Sequence, residues 1–229
     1  MLDALLHAVK DAGDSPTVTN WYTGKSDWLV LHGVGADVNH SARQQQNKRG
    51  HTLHTDLGYT QRLEKMRICI DTDHPEKWFA STSEGSYKGE FFNDHDPNGP
   101  IILVGLGKKS RRYLKAHDWE ARKYNELKRE FPGRQIIFRP KGQDLMTLPC
   151  KTDRVTPFEE LLKGASLVVC RHSNCAIDAI IHGIPFRAEA GAATQFDGDR
   201  VKFMNKLSRW EYSPDQAAQA WKFAKEIVS

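Results

Sequence analysis

The chain contains 229 residues, with 33 Lys and Arg against 29 Asp and Glu and a net charge of +4. This length supports one large domain or two small ones, and no apolar run reaches the roughly 18 residues that a membrane-spanning helix requires. The first residues lack the flanks of a signal peptide, and the four cysteines form no CxxC pair. We therefore expect a cytoplasmic protein with reduced thiols, no membrane partner and no metal site.

The first part of the chain predicts a modest α/β region. In order, the pattern predicts a helix over 1–12, a strand over 27–32, a polar helix over 37–48, and strands over 51–55 and 67–71. Gly33-Val-Gly35 ends the first strand, and the turn Asp56-Leu-Gly-Tyr59 ends the second. Residues 81–99 are rich in Ser, Gly, Asn and Asp and predict a loop. We therefore predict a first domain over residues 1–98.

The rest of the chain has a cleaner rhythm and predicts a second domain over residues 99–229. Strands are predicted over 100–105, 135–138, 166–170 and 184–187, and helices over 109–131, 157–163, 173–182, 198–208 and 214–227. Strands that alternate with helices are typical of a parallel sheet covered by helices on both faces. Such sheets bind ligands beyond the carboxyl ends of their strands, so the functional residues are expected just after each strand.

Several familiar catalytic signatures are absent from the sequence. There is no GxxxxGK[ST] loop, no HExxH and no GxSxG, and neither Gly33-Val-Gly35 nor Gly105-Leu-Gly107 has the third glycine of a dinucleotide fingerprint. These absences disfavour kinase, dehydrogenase, zinc protease and α/β-hydrolase functions.

The segment Leu167–Pro185 carries the strongest chemical signal. An apolar strand delivers four polar residues to a helix N-terminus: Arg171, His172, Ser173 and Asn174. Free backbone N–H groups and the helix dipole favour an anion there, typically a phosphate. Ser173 or Asn174 also fits an N-cap, and an ordinary capped helix remains the alternative interpretation.

The same segment resembles the C-terminal half of GT-B glycosyltransferases. The resemblance lies in a polar pair followed by Ala176-Ile-Asp-Ala179 and Gly183-Ile-Pro185, with Gly105-Leu-Gly-Lys108 where that half begins. Phe138-Arg-Pro-Lys-Gly142 is similar to the Arg-Pro-His-Pro turn of polysaccharide-type members, although Lys141 stands where His is usual. The resemblance implies a GT-B-like α/β fold. The chain departs from the family pattern of two full Rossmann-like domains, because it is shorter and its N-terminal half, on the acceptor side, is trimmed.

Other patches resemble a phage-associated branch of these enzymes. They are Thr55-Asp-Leu-Gly-Tyr59, Arg67-Ile-Cys-Ile-Asp71 with His74-Pro75, and the closing stretch Phe203–Tyr212 with Trp221. This branch implies, as acceptor, a hydroxymethylated pyrimidine in DNA, for which the mildly basic composition is suitable. Alternatives are a cell-surface glycan acceptor, a sugar-nucleotide epimerase, and a non-catalytic nucleotide or nucleic-acid-binding module.

Transfer from a sugar nucleotide, which would be the donor substrate with no further cofactor, requires cations near the departing diphosphate and a base for the acceptor hydroxyl. We predict donor binding by Gly33, Gly35, Arg139, Lys141, Arg171, His172, Ser173, Asn174 and Glu189, the last through a ribose hydroxyl. Lys108 and Arg111 are weaker candidates. The predicted base is Asp37, with Asp56 as second choice, although Asp37 also fits a helix cap and Asp56 a turn.

Overall fold

A computed structural model describes residues 2–19, 21–33, 37–142, 144–172 and 174–229, without the side chains of residues 37–40. The chain divides into two compact units, one formed by residues 1–87 and 195–229 and the other by residues 88–194. Each unit is organised around its own sheet. This division differs from the predicted one in two ways. The first boundary lies after residue 87 and not after residue 98, and the C-terminal 35 residues belong with the first unit.

The first unit contains the elements from both ends of the chain. They are α1 (Leu2–Asp11), β1 (Trp28–His32), α2 (Asp37–Gln46), β2 (His51–Leu57), β3 (Met66–Ile70), α3 (Glu76–Phe79), α8 (Arg200–Ser208), β9 (Glu211–Tyr212) and α9 (Ala217–Val228). The second unit contains β4 (Ile101–Val104), α4 (Lys108–Tyr113), α5 (Trp119–Glu130), β5 (Ile136–Arg139), β6 (Lys151–Thr152), α6 (Phe158–Leu162), β7 (Leu167–Cys170), α7 (Cys175–Ile181) and β8 (Phe186–Ala188).

The sheet of the first unit is mixed and has the strand order β1-β2-β3-β9. β1 and β2 are parallel, whereas β2 and β3 form an antiparallel pair because only a short turn separates them. β9 pairs with Met66 and Arg67 of β3, and Asp14, just after α1, accepts hydrogen bonds from Trp221 and Lys225 of α9. These long-range contacts explain why the C-terminal segment belongs to the first unit.

The sheet of the second unit is parallel throughout and has the strand order β6-β5-β4-β7-β8. Its central strands are short apolar runs, and both β4 and β7 are buried along their whole length. Trp119 and Leu127 of α5 pack in one core cluster with Leu103, Phe138 and Val169 of the sheet. The prediction of an α/β fold with a parallel sheet is therefore confirmed.

One predicted helix is wrong in its extent. Residues 109–131 were expected to form a single helix, but α4 ends at Tyr113 and α5 begins at Trp119. Between them Lys115 adopts a positive φ of 49°, a conformation that interrupts a right-handed helix. The break lets Trp119 and Glu120 turn into the core, where both are fully buried. Trp210, Tyr212 and Trp221 are also buried.

Candidate functional site

The strand order of the second unit reverses between β4 and β7. From β4 the chain adds β5 and β6 on one side, then crosses to place β7 and β8 on the other side. In open α/β sheets, ligands bind beyond the carboxyl ends of the two strands that flank such a reversal. Here those ends continue into Gly105–Lys108 and into Arg171, His172 and Asn174. The structure thus brings two of the predicted donor-side segments to one edge of the sheet.

The turn after β4 is fixed by a buried ionic cluster. Glu120, which is 0% exposed, accepts hydrogen bonds through Oε1 from the Leu106 backbone N–H and from Arg111 Nε, both at 2.9 Å. Arg111 also donates to the Leu106 carbonyl at 2.9 Å and pairs with Asp144 in the loop after β5. The inward contacts of Arg111 identify it as a structural anchor for this edge, although it was weakly predicted to bind the donor.

Lys141, after β5, borders the start of α4. A side chain at Gly107 would place its Cβ 3.5 Å from the Lys141 Cδ, so the lysine stem lies beside this turn while the residue remains exposed. Gly105 cannot carry a side chain without displacing the Phe138 ring, which lies 3.0 Å from the ideal Cβ position. Close packing against Phe138 therefore requires a glycine at position 105. Lys141 is exposed at the same edge, where its ammonium group is available to a ligand.

Arg171 and Glu189 meet at the turns after β7 and β8. Arg171 Nε lies 3.7 Å from Glu189 Oε2, and the Arg171 carbonyl accepts from the N–H groups of Glu189 at 2.9 Å and Ala190 at 2.7 Å. Trp119 donates its indole N–H to Glu189 Oε2 at 2.9 Å, and Lys123 lies 3.0 Å from Oε1. Sequence reasoning missed Trp119, whose only signal is an aromatic residue within a basic stretch.

The charges around Glu189 keep it ionised. Burial alone would raise the pKa of the Glu189 carboxyl, but hydrogen bonds from Trp119 and Lys123, together with the charges of Lys123 and Arg171, lower it below its usual value. This partly exposed carboxylate is already engaged on both oxygens. It was predicted to accept from a ribose hydroxyl, and a sugar would have to compete with the indole N–H and the ammonium group.

Arg139 lies on a different face of the sheet from Arg171. Its register partner is Val104, whereas Leu103 is the partner of both Phe138 and Val169. Neighbouring residues in a parallel sheet point to the same face, so Arg139 leaves β5 opposite to the α5-covered face on which Arg171 meets Glu189. Arg139 instead pairs with Asp153 at 3.0 Å. The structure does not bring these two predicted donor-binding arginines together.

Of the other residues predicted to bind the donor in the turn after β7, the structure describes His172 and Asn174. Gly191 has a φ of 96°, and its ideal Cβ would lie 3.5 Å from the His172 Cα, so the β8 turn packs closely on the backbone of the β7 turn. Asn174 precedes α7, and its side chain makes no capping hydrogen bond. Ser173, the other predicted cap, lies outside the described residues.

The first unit holds the remaining predicted residues. Gly33, with a φ of 73°, follows β1 and donates its N–H to the Thr55 carbonyl at 2.8 Å, so it lies in a different unit from Arg171. Asp56 lies inside β2 rather than in a turn, and it pairs with Arg67 at 3.1 Å. Asp37 is the first residue of α2, but its side chain, like the whole of Gly35, lies outside the described residues.

His54 is a buried titratable residue that sequence reasoning did not select for catalysis. It is 2% exposed, and neither ring nitrogen has a hydrogen-bond partner of ordinary geometry among the described residues. Burial lowers the pKa of His54 to about 4, an effect that the nearby Gly33 backbone opposes. Cys69, its register partner on β3, is also buried, and burial raises the pKa of that thiol to about 12.

Within the described ranges, no group of three or more His, Cys, Asp and Glu side chains is arranged to hold a metal ion. None of the helices described is long and apolar enough to span a bilayer.

No family model and no curated protein matches this sequence. Among solved structures, the chain is similar to the KpsC beta Kdo 2,4 transferase of Thermosulfurimonas dismutans, with a TM-score of 0.55 and 10% identity over 100% of this chain and 95% of that one. For the beta Kdo 2,7 transferase of Thermosulfurimonas dismutans KpsC, the TM-score is 0.48 and the identity 10%, over 87% of this chain and 85% of that one. For the spinosyn rhamnosyltransferase SpnG, complexed with thymidine diphosphate, the TM-score is 0.38 and the identity 15%, over 98% of this chain and 66% of that one.

The likeness to the Kdo 2,4 transferase supports a conclusion about fold. At 10% identity it covers nearly all of both chains, so the two share an α/β architecture rather than a local motif. This is the GT-B-like class expected from the sequence, with a five-stranded parallel sheet in one unit.

Proposed function

We propose that this chain is a glycosyltransferase that moves a sugar from a nucleotide-diphosphate sugar to an acceptor hydroxyl. The observation that carries the proposal is the reversal of strand order between β4 and β7, with a glycine-containing turn on one side and Arg171 on the other. The transferase fold of the Thermosulfurimonas dismutans protein supports the same reaction class. The fold alone would not support a reaction class, because one fold can carry many unrelated functions.

The reaction assigns a role to each part of this edge. The bond between the anomeric carbon and the diphosphate oxygen breaks as the acceptor oxygen bonds to that carbon, and negative charge accumulates on the diphosphate. We place this charge near Arg171, with Lys141 and Lys108 as further cations and with His172 and Asn174 in the same turn. Ser173, which lies outside the described residues, is proposed from the sequence alone. Cations fixed where charge develops lower the barrier without reorganising during the reaction.

The acceptor hydroxyl must lose its proton during this transfer. We assign the base to Asp37, with Asp56 as the second choice. Asp56 already accepts from the Leu57 N–H at 2.8 Å and from Arg67 at 3.1 Å, so a substrate hydroxyl would share an occupied carboxylate. Asp37→Asn is expected to abolish transfer while leaving donor binding intact, whereas a pure binding module would show no turnover in either protein.

We further propose that the acceptor is a hydroxymethylated pyrimidine in phage DNA, modified in the host cytoplasm. The net charge of +4 and the exposed Lys108, Lys109 and Lys115 support a polyanionic acceptor. Such contacts release counterions, so binding should weaken steeply as salt concentration rises. A base within a duplex would also have to be flipped out to be reached.

A panel of labelled sugar nucleotides tests the donor, because a glycosyltransferase should consume at least one of them when acceptor is present. Mass spectrometry of nucleosides from treated DNA tests the acceptor. Hydroxymethylated DNA should gain one sugar mass, and unmodified DNA should not. If both DNAs remain unchanged while the donor is consumed with a glycan acceptor, the DNA proposal fails and the glycosyltransferase proposal stands.

A further inference from the structure

The Glu189 carboxylate is contacted by three donor groups of the protein. Trp119 donates to Oε2 at 2.9 Å, Lys123 contacts Oε1 at 3.0 Å, and Arg171 Nε lies 3.7 Å from Oε2. Trp119 is 0% exposed, and a buried indole N–H is usually paired with an acceptor, as it is here. Losing this bond would leave an unsatisfied donor in the core, so the Trp119–Glu189 contact is held firmly.

Both donors to Glu189 come from one helix. Trp119 and Lys123 are four residues apart on α5, so they lie on the same face of the helix, one turn apart. Trp119 also packs with Phe138 and Val169, which anchors this face to the sheet. The carboxylate is therefore fixed by a rigid helix rather than by a mobile loop.

Glu189 is tied to Arg171 through backbone as well as side chain. Its N–H donates to the Arg171 carbonyl at 2.9 Å, while its carboxylate pairs with the Arg171 guanidinium. A guanidinium has donors on three nitrogens, and the carboxylate faces Nε. Among the residues described, the guanidinium of Arg171 has no ion-pair partner other than Glu189, and Arg171 is only partly buried.

We propose that Glu189, held by Trp119 and Lys123, is a positioning residue that orients Arg171 toward the donor's diphosphate and does not bind the ribose. The inference rests on the proposed function, since it assumes that Arg171 meets a diphosphate. It assigns α5 a part in donor binding. It also replaces the predicted contact between Glu189 and a ribose hydroxyl.

Inorganic pyrophosphate is the direct probe, because it has the diphosphate without a ribose. Calorimetry should show that Trp119→Phe weakens pyrophosphate binding about five- to tenfold, which is less than the roughly 10- to 150-fold worth of one hydrogen bond to a charged group because this bond acts on the ligand only through Glu189 and Arg171. Trp210→Phe is the matched control, since Trp210 is also 0% exposed and its indole nitrogen has no partner among the described residues. The control should bind pyrophosphate as the wild type does.

Glu189→Gln provides a second variant outside the core, because this residue is exposed and glutamine keeps a carbonyl oxygen that can accept from Trp119. It should weaken pyrophosphate binding about tenfold or more, since it removes the charge that orients Arg171. The four common nucleoside diphosphates are tested in parallel. An equal loss for pyrophosphate and for the best nucleoside diphosphate supports positioning, whereas a loss confined to the nucleoside diphosphate shows a ribose contact and overturns the inference.

The outcomes also separate this inference from the proposed function. Unchanged pyrophosphate affinity in Glu189→Gln overturns the inference, as does a wild type that binds no pyrophosphate. Weakened binding in both variants, combined with a wild type that consumes no sugar nucleotide, supports the inference and overturns the glycosyltransferase proposal. If Trp119→Phe fails to fold, Glu189→Gln alone decides.

Discussion

The two sheets of this protein place polar groups differently. In the second unit β4 and β7 are wholly apolar inside, and the charged residues follow the strands, where they can meet a ligand. In the first unit, polar residues sit within buried strands, among them Thr52, His54 and Arg67. Polar groups at strand ends are available for binding, whereas polar groups inside strands must be hydrogen-bonded within the fold or they reduce its stability.

The first unit satisfies much of its internal polarity through cross-strand pairs. Arg67 is the register partner of Asp56 and pairs with it, and its guanidinium lies 5.4 Å from the Tyr59 ring centre. Glu211 of β9 accepts from the N–H groups of Tyr59 and Thr60, which fixes the turn after β2. His54 has no such pairing, so it is the point at which this unit should be most sensitive to pH.

The largest expected effect is on the anchor beneath the second unit's edge. Arg111→Met leaves the carboxylates of Glu120 and Asp144 buried without their shared counter-charge. Breaking a buried ion pair in this way typically costs about 3–5 kcal/mol. Urea denaturation should show a loss of that size. Arg187→Met is the control, because its partner Glu130 and Arg187 itself are half exposed, and the loss there should remain below about 1 kcal/mol.

The next effect concerns catalysis rather than stability. Arg171→Ala should reduce sugar-nucleotide turnover about 10²- to 10³-fold, the usual cost of removing one donor aimed at developing charge. Steady-state kinetics with saturating acceptor measure it, and Arg187→Ala should retain wild-type rates. A reduction smaller than fivefold would remove Arg171 from the site. The polar end of the second sheet would then resemble the first unit, where charges serve the fold.

Part of this fold can be predicted from the sequence alone. The strands of the second unit were recognisable because a short, continuous apolar run such as Ile101–Val104, bounded by Pro100 and Gly105, is typical of a buried strand. The break in the predicted helix at Lys115 was not, because its positive φ follows from the inward packing of Trp119 and Glu120. The sequence also did not predict that the C-terminal segment belongs to the first unit. Its strand β9 has only two residues, and its pairing with β3 leaves no local sequence pattern.

The candidate site was predictable as a place but not as a set of contacts. Residues after parallel strands share an edge, so Arg171 and Glu189 could be selected from the sequence. The hydrogen bond from Trp119 to Glu189 could not be predicted, and neither could the ion pair of Arg139 with Asp153 on the other face. Both depend on side-chain geometry between residues that are far apart in the sequence. Alternation within β5 places Arg139 opposite Phe138, but only the register with β4 reveals which face meets α5.

The pH dependence of stability sharpens the comparison from the side of the first unit. The pKa of His54 is lowered from 6.5 to about 4 in the fold, so the unfolded chain takes up its proton first as pH falls. Stability from this group is complete above pH 6.5 and decreases as pH falls toward 4, by about 3 kcal/mol in all. Urea denaturation at several pH values should show a flatter profile in this window for His54→Gln. The exposed His117→Gln should retain the wild-type slope.

The smallest effect compares one glycine from each unit. Gly33 and Gly191 have φ values of 73° and 96°, and neither has an atom within 3.4 Å of an ideal Cβ. Alanine at either position therefore costs mainly backbone strain of about 1–2 kcal/mol, partly offset by about 0.4–1 kcal/mol from the stiffer unfolded chain. Denaturation should show a net loss near 1 kcal/mol for each. A clearly larger loss in Gly191→Ala would mean that packing against the His172 backbone adds to the strain, whereas no loss would show that the turn after β8 relaxes and does not rigidly hold the turn after β7.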